Sequence, residues 1–324
     1  MLSHEENAVM GNPKQVSKSR HVGVDEDSAE QRIDNFLVRH CPGVPRSHLY
    51  QLIRKGKVLV NGRRIRQTRK LQIGEKVRIP ELTVSSASVT KVPGKLQELV
   101  QRSIILRHED FFVLNKPPGL AVHAGTGLAF GLIDALRQQQ GSDRLELAHR
   151  LDRATSGCLL VGRNPRVTRQ LQDLFRKRLI EKTYLALVDG NWPESCRTVS
   201  LPLLKNTAHA GERRVVVDKR GQPSTTHIKV VGRVDEASLL EVSLETGRTH
   251  QIRVHTSHKG HGIVGDTRYG DNRRNAFFKR QGLSRLFLHA CELSFEWCGE
   301  PVRIHAGTDD TWNAGLRSLQ LSEH

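Results

Sequence analysis

The chain has 324 residues, a formal net charge of +17 and an isoelectric point near 10.1. It is long enough for two domains, and its charge favours a polyanionic partner, nucleic acid before anionic membrane. A mean hydropathy of -0.47, with no apolar run near the roughly eighteen residues of a spanning helix, speaks against a helical membrane protein. Cys41, Cys158, Cys196, Cys291 and Cys298 form no CxxC pair, so neither a disulfide framework nor a thiolate zinc site is expected. The start, MLSHEENAVMGNPKQ, lacks the apolar core of a signal peptide. Residues 1–27 read as a disordered leader, and the cytoplasm is the expected compartment.

The positive charge is uneven. From Gln31 to Pro80 there are thirteen Lys or Arg against two acidic residues, a net of +11. In SAEQRIDNFLVRH, Ser28 and Gln31 have capping-box spacing, and Ile33, Phe36 and Leu37 make an apolar face of helical period. CPGVP breaks the chain. RSHLYQLIRKGKV then reads as a second helix, capped by Ser47, burying Leu49, Leu52 and Ile53, and stopped at Gly56. VLVNGRRI is a hairpin with an Asn-Gly turn, and LQIGEKVRIP closes the unit with an alternating strand. Residues 28–80 thus form a small module with Arg46, Arg54, Lys55, Lys57, Arg63, Arg64 and Arg66 left outside. Residues 81–100, Ser/Thr/Val-rich with a Pro-Gly, read as a linker.

From residue 101 the chain turns to strands. IILRHEDFFVLNKP gives two, GLAFGLIDALRQQQ a helix, and ELAHRLDRATSGCLLVGRN a strand, a loop and a strand. PRVTRQLQDLFRKRLI is amphipathic, with Leu171, Leu174 and Phe175 on one side. TYLALVDG, THIKVVGRV, SLLEVSLETG, RLFLHACELSF and PVRIHAG are strands, and RTHQIRVHTSHKG has a helical option. Strands in runs with few helices between them argue for an α+β fold with a mainly antiparallel sheet.

GTGLAF lacks the third glycine and the βαβ setting of a dinucleotide loop, and GxxxxGK[ST] and GxSxG are absent. His255, His258 and His261 recur every third residue near His250. Without HExxH, and interleaved with Arg248, Arg253 and Lys259, they suit hydrogen bonds to backbone or phosphate better than zinc. In HRLDRATSG, Arg150 and Arg153 flank Asp152 and favour its ionised form. Thr155 and Ser156 can bond the loop backbone, and Gly157 permits a strained turn. Alone, this stretch is equally an Asx-turn beside two surface arginines or a reactive carboxylate on a rigid mount.

The module of residues 28–80 resembles the S4 RNA-binding domain through RSHLYQLIRKGKVLVNG and LQIGEKVRI. HRLDxxTSG, then EKTYLALV, then TGRTHQIRVH, in that order, resembles the pseudouridine synthases of the RluA type, and NKPPGLAVH and GHGIVGDTRYG extend the likeness over residues 101–324. Two departures are visible: Ala154 stands where Asp is common and Gly262 where Pro is common. The resemblance implies the pseudouridine synthase fold and isomerisation of specific uridines in large-subunit (23S) ribosomal RNA by a cytoplasmic monomer. It implies no cofactor and no metal, because uracil is detached from C1′, turned and rejoined through C5 with nothing oxidised. It makes Asp152 the nucleophile at C1′ or the base at C2′, with Tyr184 stacked on the base, Arg248 paired with Asp152, Arg150 filling the vacated stack, and His149 and Thr155 bordering the substrate. It makes Arg46, Arg54, Lys55, Lys57, Arg63 and Arg64 the RNA grip. The rival reading is a non-catalytic RNA-binding or ribosome-assembly protein on the same scaffold.

Overall fold

The computed structural model describes residues 14–41, 44, 46–85, 92–124, 128–206 and 214–321. The chain divides into two compact units between Pro93 and Gly94.

The first unit contains β1 (Lys14–Ser17), β2 (Arg20–Gly23), α1 (Ile33–His40), α2 (Arg46–Arg54), β3 (Leu59–Val60), β4 (Arg63–Arg64), β5 (Lys76–Ile79) and β6 (Leu82–Ser85). Ile33, Phe36 and Leu37 of α1 meet Leu49 and Ile53 of α2 in a core closed by Val58, Leu71 and Val77, so both expected apolar faces pack inward, with Leu52 only partly buried. The expected caps are not used. Arg32 occupies the N-cap of α1 without a side-chain capping bond, its guanidinium pairing instead with Asp34, while the Ser28 amide donates to Asp25 Oδ1 at 2.8 Å in an earlier turn. The second helix begins at Arg46, which puts Ser47 inside its first turn. Asn61 and Gly62 both have left-handed φ, +48° and +75°, the requirement of a two-residue turn joining β3 to β4 with Val60 opposite Arg63. On β5, Val77 and Ile79 point inward and Lys76 and Arg78 outward.

The four strands β2-β5-β3-β4 make one sheet, and β1 pairs with β6 in a second. This corrects two expected boundaries. Residues 14–23 of the expected leader carry β1 and β2, whose short polar sequences show no alternation but satisfy their backbone by pairing with β6 and β5. The interval expected as linker carries β6, and α3 begins at Gly94; residues 1–13 and 86–91 lie outside the described residues.

The second unit runs α3 (Gly94–Ser103), β7 (Ile104–Arg107), β8 (Phe111–Lys116), α4 (Leu132–Gln140), β9 (Glu146–Leu147), β10 (Ser156–Gly162), α5 (Pro165–Arg176), β11 (Glu181–Asp189), β12 (Thr198–Ser200), β13 (Leu203–Asn206) and β14 (Arg214–Val217). It continues with β15 (Thr225–Val234), β16 (Ala237–Leu244), α6 (Gln251–His258), α7 (Asn272–Arg280), β17 (Leu288–Trp297), β18 (Glu300–His305) and α8 (Asp310–Ser318). Ten strands form one sheet in the order β12-β15-β16-β11-β17-β10-β8-β7, with β18 on β17 and β9 on β10. Every pairing is antiparallel except β10 with β17, which makes this the mixed, mainly antiparallel sheet of the α+β expectation. The helix α5 lays Val167 and Leu171 against Phe111, Leu160, Phe295 and Trp297. Ile252 of α6 packs with Val188, Leu240 and Leu288.

The parallel pair lies at the centre and positions the site. Gly157 has φ +110°, and a Cβ there would sit 2.2 Å from the Ala290 carbonyl oxygen, so only glycine lets β10 approach β17 this closely. Opposite Tyr184 the register between β11 and β17 slips by one residue, from Thr183 against Glu292 to Leu185 against His289. Such a bulge twists a strand locally and re-aims a side chain.

Candidate active site

The loop between β9 and β10 carries Asp152. Its shape is fixed from below by Lys116, a fully buried lysine whose ammonium donates to the carbonyls of Pro117, Leu120 and Arg153 at 2.9, 3.0 and 3.1 Å. Burial, then the Arg285 charge, push the Lys116 pKa down to about 7 against the opposing pull of Asp152. Arg153 crosses to the same stretch, donating from Nε to the Gly119 carbonyl at 2.9 Å, and the Thr155 amide donates to the Asp152 carbonyl at 3.1 Å. The NKPPG stretch and the Asp152 loop thus hold each other.

Behind the loop, Ser156 Oγ bonds His289 Nδ1 at 2.8 Å, His289 Nε2 donates to the Ala306 carbonyl at 2.8 Å, and Arg285 bridges Ser156 and Asp309. Burial pushes His289 down to about 4, so this ring is neutral and accepts at Nδ1. His149 is likewise drawn into structure. Its Nε2 accepts from the Leu160 amide at 3.0 Å, its ring lies against Phe175, and burial, with Lys182 adding to it, lowers its pKa to about 3.

The turn from β16 into α6 is built around buried Gln251. Its Oε1 accepts from Thr246 Oγ1 at 2.7 Å and from the Arg248 amide at 3.1 Å, and its Nε2 donates to the Thr225 carbonyl at 2.9 Å. This winds the chain so that His250 takes a left-handed φ of +56° at the helix start. From there Arg253 projects toward Asp152. Its Nη1 stands 3.1 Å from Asp152 Oδ2, while Nε and Nη2 fork onto Asp266 at 2.7 and 2.8 Å. Asp266 is fully buried. Burial alone would raise its pKa, but the hydrogen bonds and charge of Arg253, with the Arg268 and Tyr269 amides, outweigh that and hold it below the usual carboxylate value.

Asp152, Tyr184, Arg248, Arg150, His149 and Thr155 all border one cavity of about 400 Å³, a size suited to a small-molecule group such as a single nucleotide base and sugar. Tyr184 forms part of its apolar wall with Leu244, Ile252 and Leu288. Burial first, then the Asp152 charge, push the Tyr184 hydroxyl well above the ordinary phenol range, so it remains protonated at neutral pH. Asp152 keeps 21% of its side chain exposed, and Arg150, Arg176 and Lys182 add positive charge around it.

One expected pairing is replaced. Arg248 is exposed and donates from Nε to the Pro223 carbonyl at 3.4 Å; the guanidinium beside Asp152 is that of Arg253. Arg248 precedes the helix and points along the turn, whereas Arg253 lies one helical turn beyond His250 and shares its face. Treating QIRVHTSH as a helix would have paired His250 with Arg253, the signal that sequence reading left unused. Lys116 in NKPPG and Asp266 in GHGIVGDTRYG carry no signal in the sequence beyond their motifs. The histidine run disperses: His255 bonds Ser224, Thr226 and the Leu201 carbonyl, His261 faces the Asp189 carbonyl at 2.8 Å, and His250 faces Tyr269 and Asp152. In the first unit Arg54, Lys55, Lys57, Arg63 and Arg64 are all exposed; the Arg46 side chain lies outside the described residues.

Residues 110–258 match the RNA pseudouridylate synthase family, and residues 31–77 match the S4 domain. Over 302 residues, 92% of this chain and 93% of the relative, the sequence is 46% identical to ribosomal large subunit pseudouridine synthase C of Pasteurella multocida (strain Pm70). The chain belongs to the RNA pseudouridylate synthase family. It is also 45% identical over 310 residues to the protein of the same name from Escherichia coli (strain K12), covering 92% of this chain and 96% of that one. Among solved structures, human RNA pseudouridylate synthase domain containing 4 is similar, with a TM-score of 0.59, 26% identity, and coverage of 71% of this chain and 97% of that one. Human RNA pseudouridylate synthase domain containing 1 gives 0.54 at 30% identity, covering 67% of this chain and 86% of that one. As a pseudouridylate synthase the chain is an isomerase acting on RNA, with an S4 domain ahead of its catalytic fold.

Proposed function

We propose that this pseudouridylate synthase isomerises uridines of large-subunit ribosomal RNA, and that Asp152 carries the chemistry. The observation behind this reading is the Asp152 carboxylate, anchored through one oxygen by Arg253 and bordering a base-sized cavity that Tyr184 helps to wall. The N1–C1′ bond breaks, the uracil turns, C5 joins C1′, and the C5 proton leaves to solvent while N1 gains one. Atoms and electrons balance within the nucleotide, so the reaction requires no cofactor or metal. Cleavage develops positive charge on the sugar, and a fixed carboxylate beside it lowers the barrier whether it attacks C1′ or takes a proton from C2′.

A uridine in folded RNA must first leave its stack, at a cost of about a few kcal/mol. Arg150, exposed at the cavity, fills the gap, while Arg248 and Lys182 attract the flanking phosphates. Tyr184 covers the base as a neutral phenol. Burial first, and then the Asp152 charge, hold that phenol protonated. The exposed lysines and arginines of the S4 domain grip the RNA, and one chain acts alone in the cytoplasm. The names of the relatives support large-subunit ribosomal RNA as the substrate. Carbodiimide-blocked reverse transcription tests this: large-subunit RNA from cells lacking the gene should lose specific stops that the gene restores. An unchanged pattern of stops would rule that substrate out.

A further inference from the structure

The Tyr269 hydroxyl faces the Nδ1 side of His250 at 2.7 Å. The Val215 amide donates to the Tyr269 hydroxyl oxygen at 3.1 Å, which leaves the hydroxyl's own proton available to His250 Nδ1. A neutral imidazole that accepts at Nδ1 bears its hydrogen on Nε2. Nε2 stands 3.5 Å from Oδ2 of Asp152, the same oxygen that Arg253 Nη1 meets, and Oδ1 has no side-chain partner among the described residues. The Tyr269 ring supports both donors, edge-on to His250 at 5.4 Å and 5.1 Å from the Arg253 guanidinium carbon. The groups facing His250 are Asp152, Arg253, Arg268, Asp266 and Tyr269. Burial lowers the His250 pKa, Asp152 pulls it up, and Arg253 and Arg268 help to keep it below that of an ordinary histidine.

We propose that His250 is a positioning residue for the isomerisation: as a neutral Nε2–H donor beside Arg253 it engages Oδ2 of Asp152 and turns Oδ1 toward the ribose. This rests on the reading that Asp152 acts at the sugar. A neutral donor orients the carboxylate without cancelling its charge, whereas an imidazolium in the same place would form a second full ion pair and weaken the nucleophile or base. The 3.5 Å separation is long for a hydrogen bond and shortens when a nucleotide displaces water from the cavity.

The test compares wild type, His250→Ala, His250→Gln and Tyr269→Phe by single-turnover tritium release from C5-labelled uridine RNA, by RNA dissociation constant and by thermal melting. Glutamine restores an N–H at the reach of Nε2, and the left-handed backbone strains alanine and glutamine alike, so their difference reads the donor. Removing the donor in His250→Ala is expected to slow release on the order of 100-fold, with RNA affinity unchanged within about twofold. His250→Gln should recover to within about tenfold of wild type, and Tyr269→Phe, which frees the tautomer, should slow release by about two- to tenfold. Wild-type rates in His250→Ala, or equal losses in the alanine and glutamine variants at unchanged affinity, would overturn the proposal. Should a His250 variant not fold, a wild-type rate in Tyr269→Phe would overturn it. No release from wild type would instead overturn the reading of Asp152.

Discussion

The Arg253 guanidinium serves Asp266 through Nε and Nη2 and Asp152 through Nη1, which demands a planar fork with donors on three sides. Lysine has the charge without the fork. Arg253→Lys should therefore lose tritium release on the order of 100-fold, and leaving buried Asp266 poorly paired should cost about 3–5 kcal/mol of stability. Single-turnover rates and urea midpoints check both; retention of either would show that charge alone suffices. Lys116 allows a pH test. Its folded pKa of about 7 lies below that of an unfolded lysine, about 10.4. Between these values the unfolded chain binds more protons than the folded one, so Lys116 makes stability rise with pH in that window. The wild-type melting temperature should gain on that of Lys116→Met from pH 7 to pH 10, and a flat difference would contradict the assignment. At this scale the motif residues bordering the cavity were legible because HRLDRATSG, Tyr184 and Arg248 carry a specific order. What was not legible was which of two arginines five positions apart, Arg248 or Arg253, faces Asp152, since that depends on where a helix begins.

At the scale of elements, the close parallel approach of β10 and β17 concentrates risk at one residue. Gly157→Ala adds a Cβ 2.2 Å from a backbone oxygen at a φ of +110°, a backbone conformation disfavoured for alanine by about 1–3 kcal/mol before the clash is counted. A fall in urea midpoint with loss of tritium release is expected, and an unchanged midpoint would mean that β17 yields easily. Long elements such as α5, β11, β15 and β17 were legible, the helix from the spacing of its one apolar face and the strands from apolar runs or alternation. The short β1, β2 and β12 were not, as each offers only one apolar residue, Val16, Val22 and Val199. The helices α7 and α8 left a signal that was passed over: Asp271 and Asp309 accept from the Arg274 and Trp312 amides at 2.9 Å, the N-cap contact that opens a helix.

For the whole molecule, the excess charge has a direction that composition alone does not give. A net of +11 within fifty residues, on a module with Arg54, Lys55, Lys57 and Arg63 exposed, predicts salt-sensitive binding. Replacing Lys55 and Arg63 with glutamine should weaken RNA affinity at low salt and reduce the slope of log affinity against log salt by about 1.4 to 1.8. An unaltered slope would remove those two side chains from the RNA contact. The fold class and domain order were readable in the sequence, whereas the boundary was not, because the strands at its edges pair with partners some sixty residues away. The central claim, that one carboxylate anchored by Arg253 breaks the uridine glycosidic bond, is tested most directly by tritium release from C5-labelled uridine RNA under single-turnover conditions. Wild type should release tritium stoichiometrically with the modified sites while Asp152→Ala binds the RNA and releases none; equal release by the two proteins would contradict the account.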